Sequence, residues 1–268
     1  MNKRMRDVVM AVIMAVGLSF SLGSVLDAKL RVGPLMGYYA PNFGEINSDF
    51  RQFNDAYGSD LELGSGLCYG VAAEYELSPN FCFRAEVLNF NSETSASGMQ
   101  EWYEVYYYYY EYWYDLYIFY TDNARLKGKV QVTPIFLNAI YKFSPEQSFT
   151  PYLGVGAGTL LSNCRFNWSG TVAAEYWLYD WWYDLWYYWY ADALSYSFSD
   201  GDSGNPIAFQ ILAGLDLQAS PNLSFAIQGR YIAGKADLEM PTYAGLDIAR
   251  TTIDWGGFFL GATLEIGV

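Results

Sequence analysis

Apolar and polar residues alternate one by one over much of this chain. The clearest case runs from Leu67 to Phe90, where Leu67, Tyr69, Val71, Ala73, Tyr75 and Leu77 share one face, and Cys68, Gly70, Ala72, Glu74 and Glu76 the other. A period of two is the mark of a β-strand. Ser78-Pro79-Asn80 breaks the pattern with turn chemistry. It resumes with Phe81, Phe83, Ala85 and Val87 against Cys82, Arg84 and Glu86. The unit reads as a tight hairpin; if Leu77 pairs with Phe81, Glu74 stands opposite Arg84 on the polar face. Similar stretches occur at Leu30–Ala40, Lys129–Phe143, Pro151–Leu161, Phe209–Ala219, Leu223–Ile232 and Ile253–Val268, which makes eight strands. In the fourth the parity changes near Pro134, as a β-bulge would cause.

The hairpin alone fits either a soluble sheet, with its charges in water, or an inside-out barrel, with its charges enclosed. The connections separate the two. Links after strands 2, 4 and 6 are short: Ser78-Pro79-Asn80, Ser144 to Phe149 and Ser220-Pro221-Asn222. The others are long: Pro41–Asp60, Asn91–Gly128, Ser162–Ile207 and Ala233–Thr251. Short turns on one side and long loops on the other are the habit of outer-membrane barrels. The expectation is an all-β fold: a closed antiparallel barrel of eight transmembrane strands, with short periplasmic turns and long extracellular loops.

The start of the chain agrees with export. Lys3, Arg4 and Arg6 precede an apolar run from Val8 to Phe20, the pattern of a signal peptide, with cleavage after Gly23 or Ala28. Residues 29–268 then form one barrel domain, with aromatic-rich insertions at about 91–128 and 162–207. That part carries 12 lysines and arginines against 27 acids, a net charge of −15. Such acidity argues against nucleic acid as a partner and leaves outer-membrane lipid as the expected surroundings. The implied location is the outer membrane of a Gram-negative-type bacterium.

Three pieces carry a family likeness: P-Y-L-G-V-G-A-G at Pro151–Gly158, P-I-F-L-N-A-I-Y-K-F at Pro134–Phe143, and the repeated S-P-N turns. With the alternating closing segment Phe258, Leu260, Ala262, Leu264, Ile266 and Val268, they resemble the small eight-stranded outer-membrane barrels of the OmpA/OmpX/OmpW type. The resemblance spans roughly Leu61 to Val268 outside the large loops. It implies architecture, with no peptidoglycan-binding domain after the barrel, and leaves function open. An OmpW-like likeness allows a narrow transport barrel for small or hydrophobic molecules. A third reading lengthens a loop into further strands and so opens a true pore.

The chain has no histidine, which removes Ser-His-Asp hydrolysis and histidine metal sites together. No enzyme, no cofactor and no metal site is expected. Parity instead sends Arg31, Glu74, Glu76, Arg84, Glu86, Lys142, Asp216, Gln218, Gln228, Arg230 and Glu265 inward, where an eight-stranded interior is just wide enough to be filled and buried charges must pair. Gly154, Gly156 and Gly158 lack the spacing of a dinucleotide fingerprint and read as small inward residues of a crowded interior. Cys68 and Cys82 lie roughly 25 Å apart in register, so no disulfide is expected.

Two stretches stand apart. Trp102–Tyr120 holds 13 aromatics in 19 residues and Tyr176–Tyr190 holds 11 in 15, all without lysine or arginine. In the first, Glu101, Glu104, Glu111 and Asp115 fall in one quadrant of a helical wheel, which suggests a helix with an acidic stripe; the β-propensity of Tyr and Trp favours hairpins instead. With only about 50 Å² exposed per ring, the patch reaches about 1,200 Å², against the few hundred usual for a monomer. Trp102, Tyr106, Tyr109, Trp113, Tyr117, Trp177, Trp181, Trp182, Trp186 and Trp189 are the candidate contact residues. Their expected partners are glycans, cell surfaces or further copies of the chain.

Overall fold

A computed structural model describes residues 30–108, 114–145, 148–220, 222–239 and 250–267. The signal-peptide segment, Tyr109, Trp113 and Val268 lie outside the described residues. The elements are β1 (Leu30–Asn42), α1 (Gly44–Tyr57), β2 (Gly66–Ser78), β3 (Phe81–Tyr108), β4 (Tyr114–Lys142), β5 (Phe149–Asp180), β6 (Leu185–Gly204), β7 (Ile207–Ser220), β8 (Leu223–Ala233), β9 (Lys235–Glu239) and β10 (Arg250–Gly267). Eight antiparallel strands run β1-β2-β3-β4-β5-β7-β8-β10, and β10 pairs back onto β1 to close a ring. Strand β6 pairs β5 and strand β9 pairs β10, both off the ring path.

Three differences from the sequence reading have physical causes. First, β4 carries no bulge: its register with both neighbours is unbroken from Tyr114 to Lys142. What changes near Pro134 is the chemistry of the interior. Asn138 and Lys142 face it on one side of Pro134, Val132 and Val130 on the other, and all four are buried. Second, Ser78, not Leu77, pairs with Phe81, because the register shifts between Glu76 and Ser78. Glu74 still pairs with Arg84. Third, the link read as a loop from Pro41 to Asp60 contains α1.

Helix α1 forms because Ile46, Phe50 and Phe53 recur at spacings of four and three, one apolar stripe, and all three are buried. Gly58 ends it in the left-handed region at φ 60°, its N–H donating to the Asn54 carbonyl. Two asparagines then hold the returning chain. The Asn47 side chain bonds both the N–H and the C=O of Leu63, each at 2.9 Å, and Asn54 does the same for Leu61 at 2.7 and 3.1 Å. Leu61 and Leu63 thereby join the stripe in one core with Leu35, Leu88, Phe90, Val132, Ile232 and Trp255.

The described parts of the aromatic runs are strands, with a turn at 181–184 in the second. β3, β4 and β5 span 28, 29 and 32 residues, where a membrane crossing needs about 9–11. The surplus and β6 form a four-stranded sheet rising from one side of the ring, so Glu101, Glu104 and Asp115 lie on strands and not on the expected acidic helix; Glu111 lies outside the described residues. β-branched and aromatic side chains suit a pleated sheet, and each strand end gains cross-strand partners that a helix would forgo.

Candidate functional site

The lower interior of the ring is ionic. Arg84, fully buried, donates to Glu74 through Nε at 2.9 Å and Nη2 at 2.5 Å, and through Nη1 to Gln228 at 3.1 Å and the Tyr152 hydroxyl at 3.4 Å. Glu265 lies 3.0 Å from the same guanidinium. The other Glu74 oxygen takes Lys142 at 2.6 Å, Lys142 reaches Asp216 at 3.1 Å, and Arg31 reaches Asp216 at 3.4 Å and Glu76 at 3.9 Å. An unbroken chain of charges therefore runs from Arg31 to Glu265. Arg230 forms a separate two-pronged pair with Glu86 and donates to Gln210, which binds Asn138 at 2.5 Å. Ten of the eleven residues that parity sends inward take part, Glu76 being the least buried of them; Gln218, close to the end of β7, is exposed instead. Sequence reasoning missed Tyr152, Asn138 and Gln210, although each stands on the inward parity of its strand. Gly156 makes room for them: a Cβ there would lie 1.9 Å from Asn138 Oδ1.

Above this floor the interior turns apolar, under α1. The change falls on one level of the sheet, because Leu88, Pro134 and Leu160 share a register row. Below the row, Phe83, Leu137, Tyr141, Leu153 and Val155 point outward and are exposed while charges are buried. Above it, Glu93, Arg125, Lys127, Lys129 and Arg165 are the exposed outward residues, and Phe90, Val130, Leu126 and Cys164 are buried. On β3, β4 and β5 the alternation persists with its polarity reversed, while beyond the same row the outward Tyr38 of β1, Leu67 of β2 and Phe258 of β10 stay apolar and exposed.

The sheet beyond the ring has two different faces. On the inner one Trp102 stacks on Tyr120 (5.1 Å, 13°) and Tyr176 on Tyr190 (4.1 Å, 10°), over Leu116, Ile118 and Ala174. Tyr106 donates to Glu104 at 2.7 Å. Lower down, Asp122 accepts from Tyr57 of α1 at 2.7 Å and from Tyr196 of β6 at 2.9 Å, which ties helix and sheet together.

On the outer face most rings meet edge-on or tilted, Tyr117 with Trp186 at 62°, Trp177 with Tyr188 at 70°, Tyr179 with Trp186 at 45°, while Tyr117 and Phe119 lie near parallel at 15° and 6.3 Å. A groove of about 810 Å³ opens there among Glu101, Tyr103, Phe119, Thr121, Glu175, Trp177 and Trp186, and Trp102 and Tyr120 of the inner-face stack also line it. The turn from β5 to β6 is held by Asp180, which accepts from the N–H groups of Trp182 and Tyr183, and by Trp181 donating to Asp115 at 2.8 Å. Trp182 is 74% exposed and Trp181 56%. For Trp189 the backbone alone is described, within β6.

Hydrogen bonds to carboxylates raise the phenol pKa of Tyr106, through Glu104, and of Tyr179, through Asp184, since each donor proton is held more firmly. Lys129 lowers the Glu93 carboxyl on the outer surface. Cys68, Cys82 and Cys164 are free and buried. Among the described residues no helix is long and apolar enough to cross a membrane, and no group of three or more metal-ligating side chains converges.

No protein-family model matches the chain, and no curated protein matches it. Among solved structures it is similar to the outer membrane protein OprG from Pseudomonas aeruginosa, at 10% identity and TM-score 0.46, over 89% of this chain and 96% of that one. It is also similar to Neisserial surface protein A, at 15% identity and TM-score 0.36, over 90% and 99%. A third is Ail, the attachment invasion locus protein of Yersinia pestis, at 10% identity and TM-score 0.28, over 89% and 97%.

Proposed function

We propose that the chain is an integral outer-membrane β-barrel whose function is surface contact, adhesion or self-association, through the aromatic sheet it raises above the membrane. The membrane part of this reading rests on the ring's inverted polarity. Exposed Leu, Val, Tyr and Phe outside and paired charges inside suit lipid around the ring, and the reversal at the row of Leu88, Pro134 and Leu160 marks where lipid gives way to water. Both termini of the ring and its short links lie at the charged end, the periplasmic side; the raised sheet is extracellular.

The observation that carries the contact function is the exposure of the sheet's rings. Tyr103, Tyr106, Trp181, Trp182, Tyr183, Trp186 and Tyr188 are all at least 47% exposed, on an extension that ring closure does not use. Aromatic rings give large contact area at low entropic cost. The filled interior, ionic below and apolar above, supports a barrel that does not conduct, and weighs against transport of small or hydrophobic molecules.

The test exploits register. Trp102 pairs with Tyr120 and Tyr176 with Tyr190, so replacing 102–120 and 176–190 by short Gly/Ser/Asn turns leaves every pair of the ring in place. The variant is expected to refold as an SDS-resistant barrel, yet to lose self-association in sedimentation and attachment to cells or glycan surfaces. A variant that folds and still clusters and adheres as the parent does would end the contact reading.

A further inference from the structure

The outer face of the raised sheet has a more specific chemistry than the inner. Its cross-strand rows can be read off the register: Glu101, Thr121, Ala173 and Ala193; then Tyr103, Phe119, Glu175 and Ala191; then Val105, Tyr117, Trp177 and Tyr188. Strands lie about 4.8 Å apart, and rows on one face about 6.8 Å apart. Three alanines and a threonine in the first two rows leave low ground beside tall rings. The groove of about 810 Å³ opens beside the threonine and the tall rings, and none of the three alanines lines it.

Two features define what would fill it. The inner-face pairs, at 10° and 13°, already cover each other's π faces. The outer rings pair more loosely: Tyr117 and Trp186 meet edge-on, Tyr103 and Phe119 lie tilted at 5.9 Å, and Tyr117 and Phe119 lie near parallel but 6.3 Å apart, so Tyr103, Phe119, Trp177 and Trp186 keep ring surface free along the groove they line. The charges are also one-sided. Glu101 and Glu175 line the groove, Glu175 further accepting from Trp177 Nε1 at 3.3 Å. No lysine or arginine occurs between residues 101 and 124 or between 166 and 229, so the two segments that build the groove offer no cation of their own to fill it.

We propose that this groove binds alkylated ammonium cations of the trimethylammonium type, held by Trp177, Trp186, Tyr103 and Phe119 and balanced by Glu175 and Glu101. The inference rests on the surface-contact reading above and names the chemical group that the surface recognises. An ammonium over open ring faces gains cation–π attraction, and its methyl groups replace water on the rings. A neutral body of the same shape gains only the second of these.

The test uses the full chain in nanodiscs of phosphatidylglycerol and phosphatidylethanolamine, which contain no trimethylammonium group. Choline and its neutral tert-butyl isostere are titrated by calorimetry at constant ionic strength. Choline is expected to bind about tenfold tighter than the isostere. Glu175→Gln and Trp177→Leu should each weaken it severalfold, and Met99→Leu, on the same face below the groove, should not. Equal binding of choline and isostere, or no heat from choline, overturns the inference. If choline does not bind while the 102–120/176–190 replacement still abolishes adhesion, the cation inference falls and the contact reading stands. If choline binds as described but the replacement adheres like the parent, the contact reading falls and the site stands.

Discussion

The same strands carry opposite codes below and above the row of Leu88, Pro134 and Leu160. Below it the buried positions include Arg84, Glu86, Asn138 and Lys142, beside a small apolar cluster around Cys82 and Ile140; above it they include Phe90, Val132, Val130 and Leu126. The pleat is identical and the register does not shift, although β3 and β4 skip two pairs between Val87–Ile135 and Phe90–Val132. On the membrane reading proposed above, what differs is the solvent each outer face meets. Where lipid surrounds a ring, polar groups have nowhere to go but inward, and they remain there only because each charge finds a partner. Where water surrounds it, apolar groups collect inside and α1 supplies the stripe that covers them. Alternation therefore specifies a strand, while the sense of the alternation reports the surroundings.

The largest expected effect comes from breaking the lower code. Arg84→Ala leaves Glu74 and Glu265 without their shared cation and should cost about 3–5 kcal/mol of refolding stability. Combining it with Glu74→Ala should cost less than the two single losses added, in a double-mutant cycle by urea refolding. Additive losses would show that the pair is not coupled.

The upper code should break more locally. Phe50→Ala removes a fully buried ring of α1 and should cost about 3 kcal/mol. Because the ionic floor lies beneath, planar-bilayer recordings should show no stable conductance in the nanosiemens range, either in this variant or in the parent. An open channel in the parent would contradict the filled interior. One in the variant alone would place the seal at α1 instead of at the charges.

The smallest effect sharpens the contrast between the enclosed ring and the exposed sheet. Tyr106 and Tyr179 hold their protons against neighbouring carboxylates. Their contribution to stability is complete below the ordinary tyrosine pKa of about 10 and declines as pH rises through the raised folded values. Tyrosinate absorbance of these residues should rise later than in the unfolded chain, and Glu104→Gln should bring the Tyr106 part earlier. Both sites are exposed, so the melting temperature near neutral pH should not move measurably.

Legibility followed the range of the interactions. Period two and side-chain parity are local, so the eight ring strands, the inward set from Arg31 to Glu265 and the opposition of Glu74 and Arg84 could be read from the residues. The apparent bulge at Pro134 was misleading for a definite reason: a parity count assumes that one face stays polar throughout, and along β4 the buried residues change from Lys142 and Asn138 to Val132 and Val130 in mid-strand. The aromatic runs were ambiguous because acidic residues at helical spacing and aromatics of high β-propensity gave opposite signals. Long-range pairing of β4 with β3 and β5 resolved them, through hydrogen bonds that no local window contains. Helix α1 was missed although Ile46, Phe50 and Phe53 lie at helical spacing, since three residues between two glycines make a weak stripe until a core receives them. Sequence alone thus determined which residues turn inward within each strand, because neighbouring side chains must point to opposite faces. Only the tertiary structure decided what they meet there: Arg84 touches Glu265 and Tyr152, Asp122 joins Tyr57 to Tyr196, and Glu101 shares a groove with Glu175, since closing the ring and stacking its rows joins residues that lie far apart along the chain.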